Sequence, residues 1–214
     1  MIESFKKVLV LSPHTDDGEL GAGGTIARLV EAGADVFYMA FSTAEESVPE
    51  GHPKDILVKE VKTATGQLGI KPENLIVKRY KVRNLNYERQ NILEDLIEVR
   101  KNHTFDLVLM PSLNDIHQDH QTISQEGLRA FKRSTILGYE LIWNNLSFNT
   151  TSFVEIKKEH LDRKNNALRE YKSQEHRDYM SAEFINSLAR TRGVQIGVEY
   201  AEAFEVIRLV MGKE

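Results

Sequence analysis

Two short segments of the chain concentrate the residue types that perform acid–base and metal chemistry. The first reads PHTDDGE and the second reads NDIHQDH. Their ionisable side chains include His14, Asp16, Asp17, His117, Asp119 and His120. A single Asp before a helix is an ordinary N-cap, and a capped turn is the alternative interpretation of the first segment. One His and two adjacent Asp exceed what a cap requires, so we consider a functional site.

Together the two segments supply the ligands of a metal site. His14, Asp17 and His120 make two imidazoles and one carboxylate, a set that suits Zn²⁺ or another divalent metal ion. Three protein ligands leave a fourth position for water, which is typical of a catalytic zinc site. Such an ion lowers the pKa of its water to about 7 and polarises a carbonyl oxygen. The sequence therefore predicts a hydrolase in which a zinc-bound water attacks a carbonyl compound.

The remaining ionisable residues have predicted roles around that ion. Asp16 is adjacent to a predicted ligand and is the candidate general base. His117 is predicted on the opposite side, where it would donate a proton or stabilise the oxyanion. Asp119 is predicted to hold the Nδ1–H of His117 and thereby to fix the tautomer and charge of that ring.

Several other chemistries are excluded by what the chain lacks. It contains no Cys, which excludes thiolate zinc ligands and Cys nucleophiles. The glycine run at residues 21–24 lacks the dinucleotide-binding spacing, because Ile26 stands where a third glycine is required. We interpret these glycines as sites of close helix–sheet packing. With 28 Lys and Arg against 32 Asp and Glu, the chain is mildly acidic, and no nucleic-acid partner is expected.

Alternating strands and helices are predicted to position the two segments. Apolar runs indicate five strands, at residues 7–12, 36–41, 75–77, 105–110 and 136–142, with helical patterns between them. Such alternation predicts an α/β fold, a Rossmann-like three-layer sandwich around a mostly parallel sheet. In the common strand order 3-2-1-4-5, the first and fourth strands are neighbours, and ligands bind beyond their carboxyl ends. The two segments follow these two strands, so they are predicted to meet there.

The last third of the chain is less regular. Residues 159–171 and 177–190 are predicted as helices and residues 203–210 as a final strand. We expect residues 1–214 to form a single domain, in which an irregular region of about residues 145–214 covers the sheet. No apolar run reaches the roughly 18 to 20 residues that span a bilayer, and the N-terminus lacks the features of a signal peptide. A cytoplasmic protein without a membrane span is therefore expected.

Candidate substrate contacts follow the third and fifth strands. Arg83 and Asn84 lie on the predicted rim of the sheet, where an Arg would bind substrate hydroxyls or a phosphate. For Arg83, a solvated surface position is the alternative. Tyr139 in the fifth strand and Trp143 beyond it are candidates for one wall of the pocket. For Trp143, a position in the core is the expected alternative.

The two segments resemble the signatures of a known family, the PIG-L/LmbE-like zinc-dependent N-deacetylases. PHTDDGELGAGGT is similar to the family's A/P-H-P-D-D-x-E-x-G-x-G-G-T, and HQDH is similar to its H-x-D-H. Thr15 and Gln118 stand where proline is common in the family, and neither departure touches a predicted ligand. The similarity extends to Asp106 and to the segment at residues 193–204.

The resemblance implies an amide hydrolase that removes the N-acetyl group of an amino sugar. The implied substrate is a small molecule of the N-acetylglucosamine type, within a glycoside, a glycolipid or a sugar nucleotide. The resemblance assigns the six residues above the same roles, and it implies a homo-oligomer.

Two alternatives stay open. A metal ion and an acid–base pair would also serve a hydratase that adds water to an unsaturated carboxylic acid. Arginines that pair with several substrate carboxylates would favour the hydratase, whereas hydroxyl-binding and aromatic residues would favour a sugar. A non-enzymatic protein with this fold would have lost a ligand or the base, and all six residues are present.

Overall fold

Seven strands form one central sheet within residues 2–211, the part of the chain that this structure, a computed structural model, describes. The strands are β1 (Lys7–Ser12), β2 (Asp35–Ala40), β3 (Leu75–Val77), β4 (Leu107–Pro111), β5 (Thr135–Tyr139), β6 (Ser152–Ile156) and β7 (Tyr200–Arg208). Their order is β3-β2-β1-β4-β5-β7-β6. The first five strands run parallel, and β7 is antiparallel to both β5 and β6. The predicted order 3-2-1-4-5 is confirmed.

Helices cover both faces of this sheet. They are α1 (Asp17–Glu31), α2 (Ile56–Gln67), α3 (Arg89–Asn102), α4 (Gln118–Ala130), α5 (Lys158–Arg169) and α6 (Ala182–Ile196). The buried residues of α1, α2, α5 and α6 pack in one core cluster, and those of α3 and α4 pack in another. The predicted three-layer α/β sandwich is confirmed. None of the helices between residues 2 and 211 has the length and hydropathy that crossing a bilayer requires.

The apolar run of β1 follows from this burial on both faces. Successive side chains of a strand point to opposite faces, so Val8 and Val10 join the first cluster, whereas Leu9 and Leu11 join the second. All four are fully buried. A strand covered on both faces is apolar at nearly every position, which is why the sequence shows a continuous run instead of an alternation.

A buried ion pair interrupts helix α1 near its middle. Ala22 has a non-helical φ of −144°, and the N–H groups of Gly24 and Thr25 donate to the Glu202 carboxylate at 3.0 and 2.7 Å. The ammonium group of Lys164 donates to the same carboxylate at 2.7 Å. The carboxylate therefore binds the donors that the break in the helix leaves free.

Close packing explains the glycine run in α1. A Cβ atom at Gly23 would lie 2.8 Å from Cγ of Lys164, and one at Gly24 would lie 2.7 Å from Cδ1 of Ile156. Both approaches are shorter than real Cβ contacts. The interpretation of these glycines as packing positions is confirmed.

The C-terminal third extends the sheet as well as covering it. The final strand begins at Tyr200, three residues before its predicted start, and β6 was not predicted. Because β6 is an edge strand with only Val154 and Ile156 buried, its sequence lacks a strong apolar run. The last helix starts at Ala182, since the Ser181 side chain caps it by accepting the Phe184 N–H at 3.2 Å. The single-domain organisation stays a prediction.

Candidate active site

The carboxyl ends of β1 and β4 bring the two polar segments together. These strands pair in parallel, and residues 13–17 and 112–120 follow them. His14 Nδ1 lies 3.1 Å from Asp17 Oδ2. His120 Nε2 lies 3.3 Å from Asp17 Oδ2 and 3.3 Å from His14 Nδ1. His120 therefore meets His14 although 106 positions separate them in the sequence, and Asp17 lies at the same point.

The spacing of these three atoms fits a tetrahedral metal ion. Ligand atoms about 2.0–2.1 Å from a tetrahedral Zn²⁺ lie about 3.3 Å from one another. The three separations of 3.1, 3.3 and 3.3 Å match that value, so one ion can contact all three atoms without displacing them. Two imidazoles and a carboxylate are also a donor set that zinc commonly takes.

A carboxylate on the outer side orients each of the two imidazoles. His14 Nε2 lies 3.0 Å from Asp119 Oδ2, and His120 Nδ1 lies 2.7 Å from Asp115 Oδ2. These contacts keep one ring proton of each His on the outer side, so the inner nitrogens are the ones available to a cation. Metal-binding His residues generally have such partners. Sequence reasoning assigned no role to Asp115, although its position within the second segment was a usable signal.

In the protein without a metal ion, neighbouring carboxylates favour the protonated form of both imidazoles. Burial lowers the pKa of His14, but the Asp17 and Asp119 carboxylates outweigh it and raise that pKa to about 10. Burial likewise opposes the Asp17 and Asp115 carboxylates at His120, and the net effect raises the pKa of His120 to about 9. Burial would raise the pKa of Asp17, yet the two charged imidazoles hold it well below its usual range. A metal ion must therefore displace protons from these rings.

Asp16 lines a cavity together with Asp17 and the two imidazoles. It occupies the N-cap position of α1, but its side chain makes no cap hydrogen bond, so the capped-turn alternative does not account for it. Burial, followed by the negative charge of Asp17, raises the pKa of Asp16 to about 6. A carboxyl group whose pKa approaches neutrality is suited to accept a proton from water.

His117 lines the cavity as a neutral imidazole. Burial and the charged rings of His120 and His14 lower the pKa of His117 to about 4. The Asp119 N–H donates to His117 Nδ1 at 3.1 Å, so the ring proton lies on Nε2. The prediction that the Asp119 carboxylate holds His117 Nδ1–H is therefore wrong. Helix α4 begins directly after His117, and the His117 ring caps this helix. The Asp119 carboxylate contacts His14 instead.

A second group of three side chains is also close enough to hold an ion. In His14, His117 and His120 the potential ligand atoms lie within 4.8 Å of one another. A ligand nitrogen needs a free lone pair, however. The Nδ1 lone pair of His117 accepts the Asp119 N–H, and its Nε2 carries the proton. The hydrogen bonds therefore favour Asp17 over His117 as the third ligand.

A cavity of about 320 Å³ opens over these side chains. This volume is near the lower end of the range for small-molecule sites, which is about 300–1,000 Å³. The indole of Trp143 stacks on the ring of Tyr179, with centroids 4.2 Å apart and planes 10° apart, and both residues line the cavity. Trp143 is 36% exposed, so the alternative of a core position is wrong.

The three residues nominated for substrate contact differ in their positions. Arg83 lines the cavity. Asn84 does not, and its side-chain amide donates to the Val82 carbonyl at 3.1 Å. Tyr139 is fully buried in the sheet, and its hydroxyl donates to the Leu11 carbonyl at 2.9 Å. The nomination of Tyr139 is wrong, because its side chain is buried between the sheet and helix α1. The nominations of Arg83 and Asn84 as substrate contacts stay predictions.

Sequence reasoning missed part of the cavity wall. Ser47 comes from the segment after β2, and Gln174, Arg177 and Tyr179 come from the segment between α5 and α6. No motif marks these residues, since they belong to connections that the fold alone brings to the carboxyl edge of the sheet.

Comparisons with known proteins agree with this fold and indicate a family. The sequence profile of one protein family, PIG-L (GlcNAc-PI de-N-acetylase), matches residues 9–131. The diacetylchitobiose deacetylase of Thermococcus kodakarensis is 26% identical over 231 aligned positions, gaps included, and the match covers 97% of this chain and 84% of that protein. The structure of N,N'-diacetylchitobiose deacetylase from Pyrococcus horikoshii superposes with a TM-score of 0.79 at 25% identity, covering 96% of this chain and 85% of that one.

One solved structure with a different activity is similar in fold alone. It is the 4-carboxy-2-hydroxymuconate hydratase from Pseudomonas putida KT2440, which superposes with a TM-score of 0.77 at 19% identity. The match covers 98% of this chain and 99% of the hydratase.

Proposed function

The chain belongs to the PIG-L family, and from this premise we propose that it is a metal-dependent hydrolase that removes the N-acetyl group of an amino sugar. The observation that carries the proposal is the convergence of His14 Nδ1, Asp17 Oδ2 and His120 Nε2 beside the free carboxylate of Asp16. The diacetylchitobiose deacetylases described above are named for an N-acetylated amino sugar, which supports a substrate of the N-acetylglucosamine type.

In this proposal His14, Asp17 and His120 hold the ion, and Zn²⁺ is the metal that their donor set favours. When bound, the ion supplies Lewis-acid chemistry, which acidifies water and polarises a carbonyl. Asp119 and Asp115 keep the two imidazoles oriented through their outer nitrogens. These carboxylates also make the rings stronger ligands.

Asp16 acts as the proton carrier of the reaction. Its carboxylate accepts one proton from the water whose oxygen forms a bond to the acetyl carbon. When the bond between that carbon and the sugar nitrogen breaks, Asp16 returns the proton to the nitrogen. The second proton of the water stays on acetic acid, which ionises at neutral pH, so the products are acetate and the free amino sugar. A pKa of about 6 leaves Asp16 largely ionised at neutral pH, as a base must be.

His117 stabilises the negative charge that develops on the acetyl oxygen. Its neutral ring directs the Nε2–H as a hydrogen-bond donor, since Nδ1 is occupied by the Asp119 N–H. The donor role is therefore favoured over the role of general acid.

The test is acetate release from N-acetylglucosamine glycosides by protein with a measured metal content. We expect about one ion per chain, and we expect Asp16→Asn to lower kcat by about 10²- to 10⁴-fold because it removes general base catalysis. The exposed Asp162, on helix α5, provides the matched control Asp162→Asn. Acetate release by Asp16→Asn at the parent rate would contradict the assigned roles.

Hydration of an unsaturated carboxylic acid is the second candidate function. The observation that favours it is the presence of Arg83 and Arg177 in the cavity wall, since both could pair with substrate carboxylates. The stacked rings of Trp143 and Tyr179 favour a sugar instead. Loss of the diene absorbance of 4-carboxy-2-hydroxymuconate, measured on the same metal-loaded protein, distinguishes the two functions.

A further inference from the structure

Two arginines in the cavity wall lack carboxylate partners. Among residues 2–211, no Asp or Glu forms an ion pair with Arg83 or Arg177. The Arg83 guanidinium donates to the Ser47 hydroxyl at 3.2 Å, whereas Arg192, outside the cavity, is paired with Glu140. The cavity therefore presents two exposed positive charges that the described part of the protein does not neutralise.

The backbone holds Arg83 in a strained conformation. Its φ is +64°, in the left-handed region that residues with a Cβ rarely adopt. The fully buried Asp119 carboxylate maintains it by accepting the Arg83 N–H at 2.7 Å and the Leu85 N–H at 3.2 Å. The same carboxylate orients His14, so Arg83 is fixed relative to the candidate metal ligands. Strained backbone conformations that surrounding contacts maintain are concentrated at functional sites.

Arg177 belongs to the same segment as the aromatic wall. Tyr179 follows it by two residues and stacks on Trp143. The flat face of this pair suits the C–H face of a sugar ring. One side of the cavity therefore combines an aromatic surface with a cation, and Arg83 supplies a second cation from another segment.

We propose that the substrate is an anionic amino sugar, in which a phosphate or carboxylate substituent is bound by Arg83 and Arg177. This inference rests on the deacetylase function proposed above. Guanidinium groups bind both kinds of anion through paired, charge-assisted hydrogen bonds. A neutral disaccharide would leave both guanidinium groups solvated instead of paired, whereas an acidic substituent would pair with them.

The experiment compares glycosides of N-acetylglucosamine that differ in charge. The carboxymethyl glycoside, the neutral 2-hydroxyethyl glycoside of similar size, and N-acetylglucosamine 1-phosphate are given to the zinc-loaded full chain, and kcat/KM is measured by acetate release. We expect an anionic compound to be preferred by at least about tenfold over the neutral glycoside, because hydrogen bonds to charged groups are the stronger ones. The preference of one anionic compound over the other identifies which anion the site takes.

Substitution of the two arginines tests their part in this preference. Arg177→Gln and Arg83→Gln are each expected to lower the ratio of kcat/KM for the preferred anionic compound to that for the neutral glycoside by about tenfold. The exposed Arg133 lies in a different groove with Phe105 and Phe131, and Arg133→Gln is the control that removes the same charge outside the site. This control is expected to leave the ratio unchanged.

The outcomes separate this inference from the proposed function. Equal kcat/KM for charged and neutral glycosides, or a ratio that neither Arg177→Gln nor Arg83→Gln lowers, would overturn the anionic substrate and leave the deacetylase in place. Absence of acetate release from all three compounds, by protein that contains one ion per chain, would overturn both. Hydration of 4-carboxy-2-hydroxymuconate with loss on Arg177→Gln would also overturn both.

Discussion

Two buried charged clusters contact helix α1, one at its start and one near its middle. They differ in whether their polar atoms bind other groups of the protein or converge beside a cavity. The Glu202 carboxylate accepts from Lys164 and from the N–H groups of Gly24 and Thr25. The Lys164 ammonium also donates to the Leu20 carbonyl at 2.7 Å. Each charged group of this cluster has a partner within the protein, as most buried polar groups have.

The cluster of His14, Asp17 and His120 is arranged in the opposite way. Its carboxylate partners, Asp115 and Asp119, bind the outer ring nitrogens, while three atoms that can each bind a cation converge on one point. That point adjoins a cavity. A buried polar cluster thus indicates structure when its partners are internal, and it indicates a ligand when its lone pairs converge.

The largest effect is expected at the cluster of His14, Asp17 and His120, where a substitution should abolish most of the activity. We expect His14→Ala to lower the metal content well below one ion per chain and acetate release by about 1,000-fold or more, because the ion supplies several kcal/mol of transition-state stabilisation. Metal analysis and acetate release are measured together. The exposed His52 offers the matched control His52→Ala. Full metal content in His14→Ala would show that His14 is not a ligand.

The next largest effect is expected at the cluster of Lys164 and Glu202, where a substitution should lower the stability of the fold. We expect Lys164→Met to lower the free energy of unfolding by about 3–5 kcal/mol, since it leaves the buried Glu202 charge without its partner. The metal content should stay at the parent level, because the candidate ligands are not changed. Urea unfolding monitored by circular dichroism measures the first quantity. An unchanged midpoint, or a loss of metal, would contradict the division of roles between the two clusters.

The pH dependence of metal affinity sharpens the comparison further. With the pKa of His14 raised to about 10 and that of His120 to about 9, both rings are protonated at neutral pH. A metal ion must displace those protons, so affinity should rise with pH, by up to about 100-fold per pH unit when two protons are released. Competition with a chromophoric zinc chelator between about pH 6 and about pH 8 measures this slope. An affinity independent of pH would rule out the two imidazoles as ligands.

The smallest effect concerns a residue that acts through a ligand. Asp115→Asn is expected to weaken zinc binding by about 10- to 100-fold without abolishing it, because the carboxylate orients His120 and is not itself a ligand. The same chelator competition gives the dissociation constant, and Asp162→Asn is again the control. An unchanged dissociation constant would show that the contact between Asp115 and His120 does not affect zinc binding.

Local patterns in the sequence predicted the framework of the molecule well. The strand order of the first five strands depends on short apolar runs and on the handedness of their connections, both of which are visible in one pass along the chain. The edge strand β6 was missed because only one of its faces is buried and its pattern is therefore weak. The six ionisable residues lie in two compact segments, so their types and spacing were also visible. The predicted contact of the Asp119 carboxylate with His117 was wrong, and the roles of the other five residues stay predictions.

What the sequence by itself determined is which residue types follow β1 and β4, and hence that they meet at the same edge of the sheet. Only the tertiary structure decided which atoms face one another there. In the structure, the Asp119 carboxylate contacts His14 and not His117. Tyr139 is buried, and Trp143 is exposed beside Tyr179. The physical reason is that spacing along the chain sets which element a residue belongs to, whereas hydrogen-bond partners and burial depend on side-chain directions and on distant segments that pack against them.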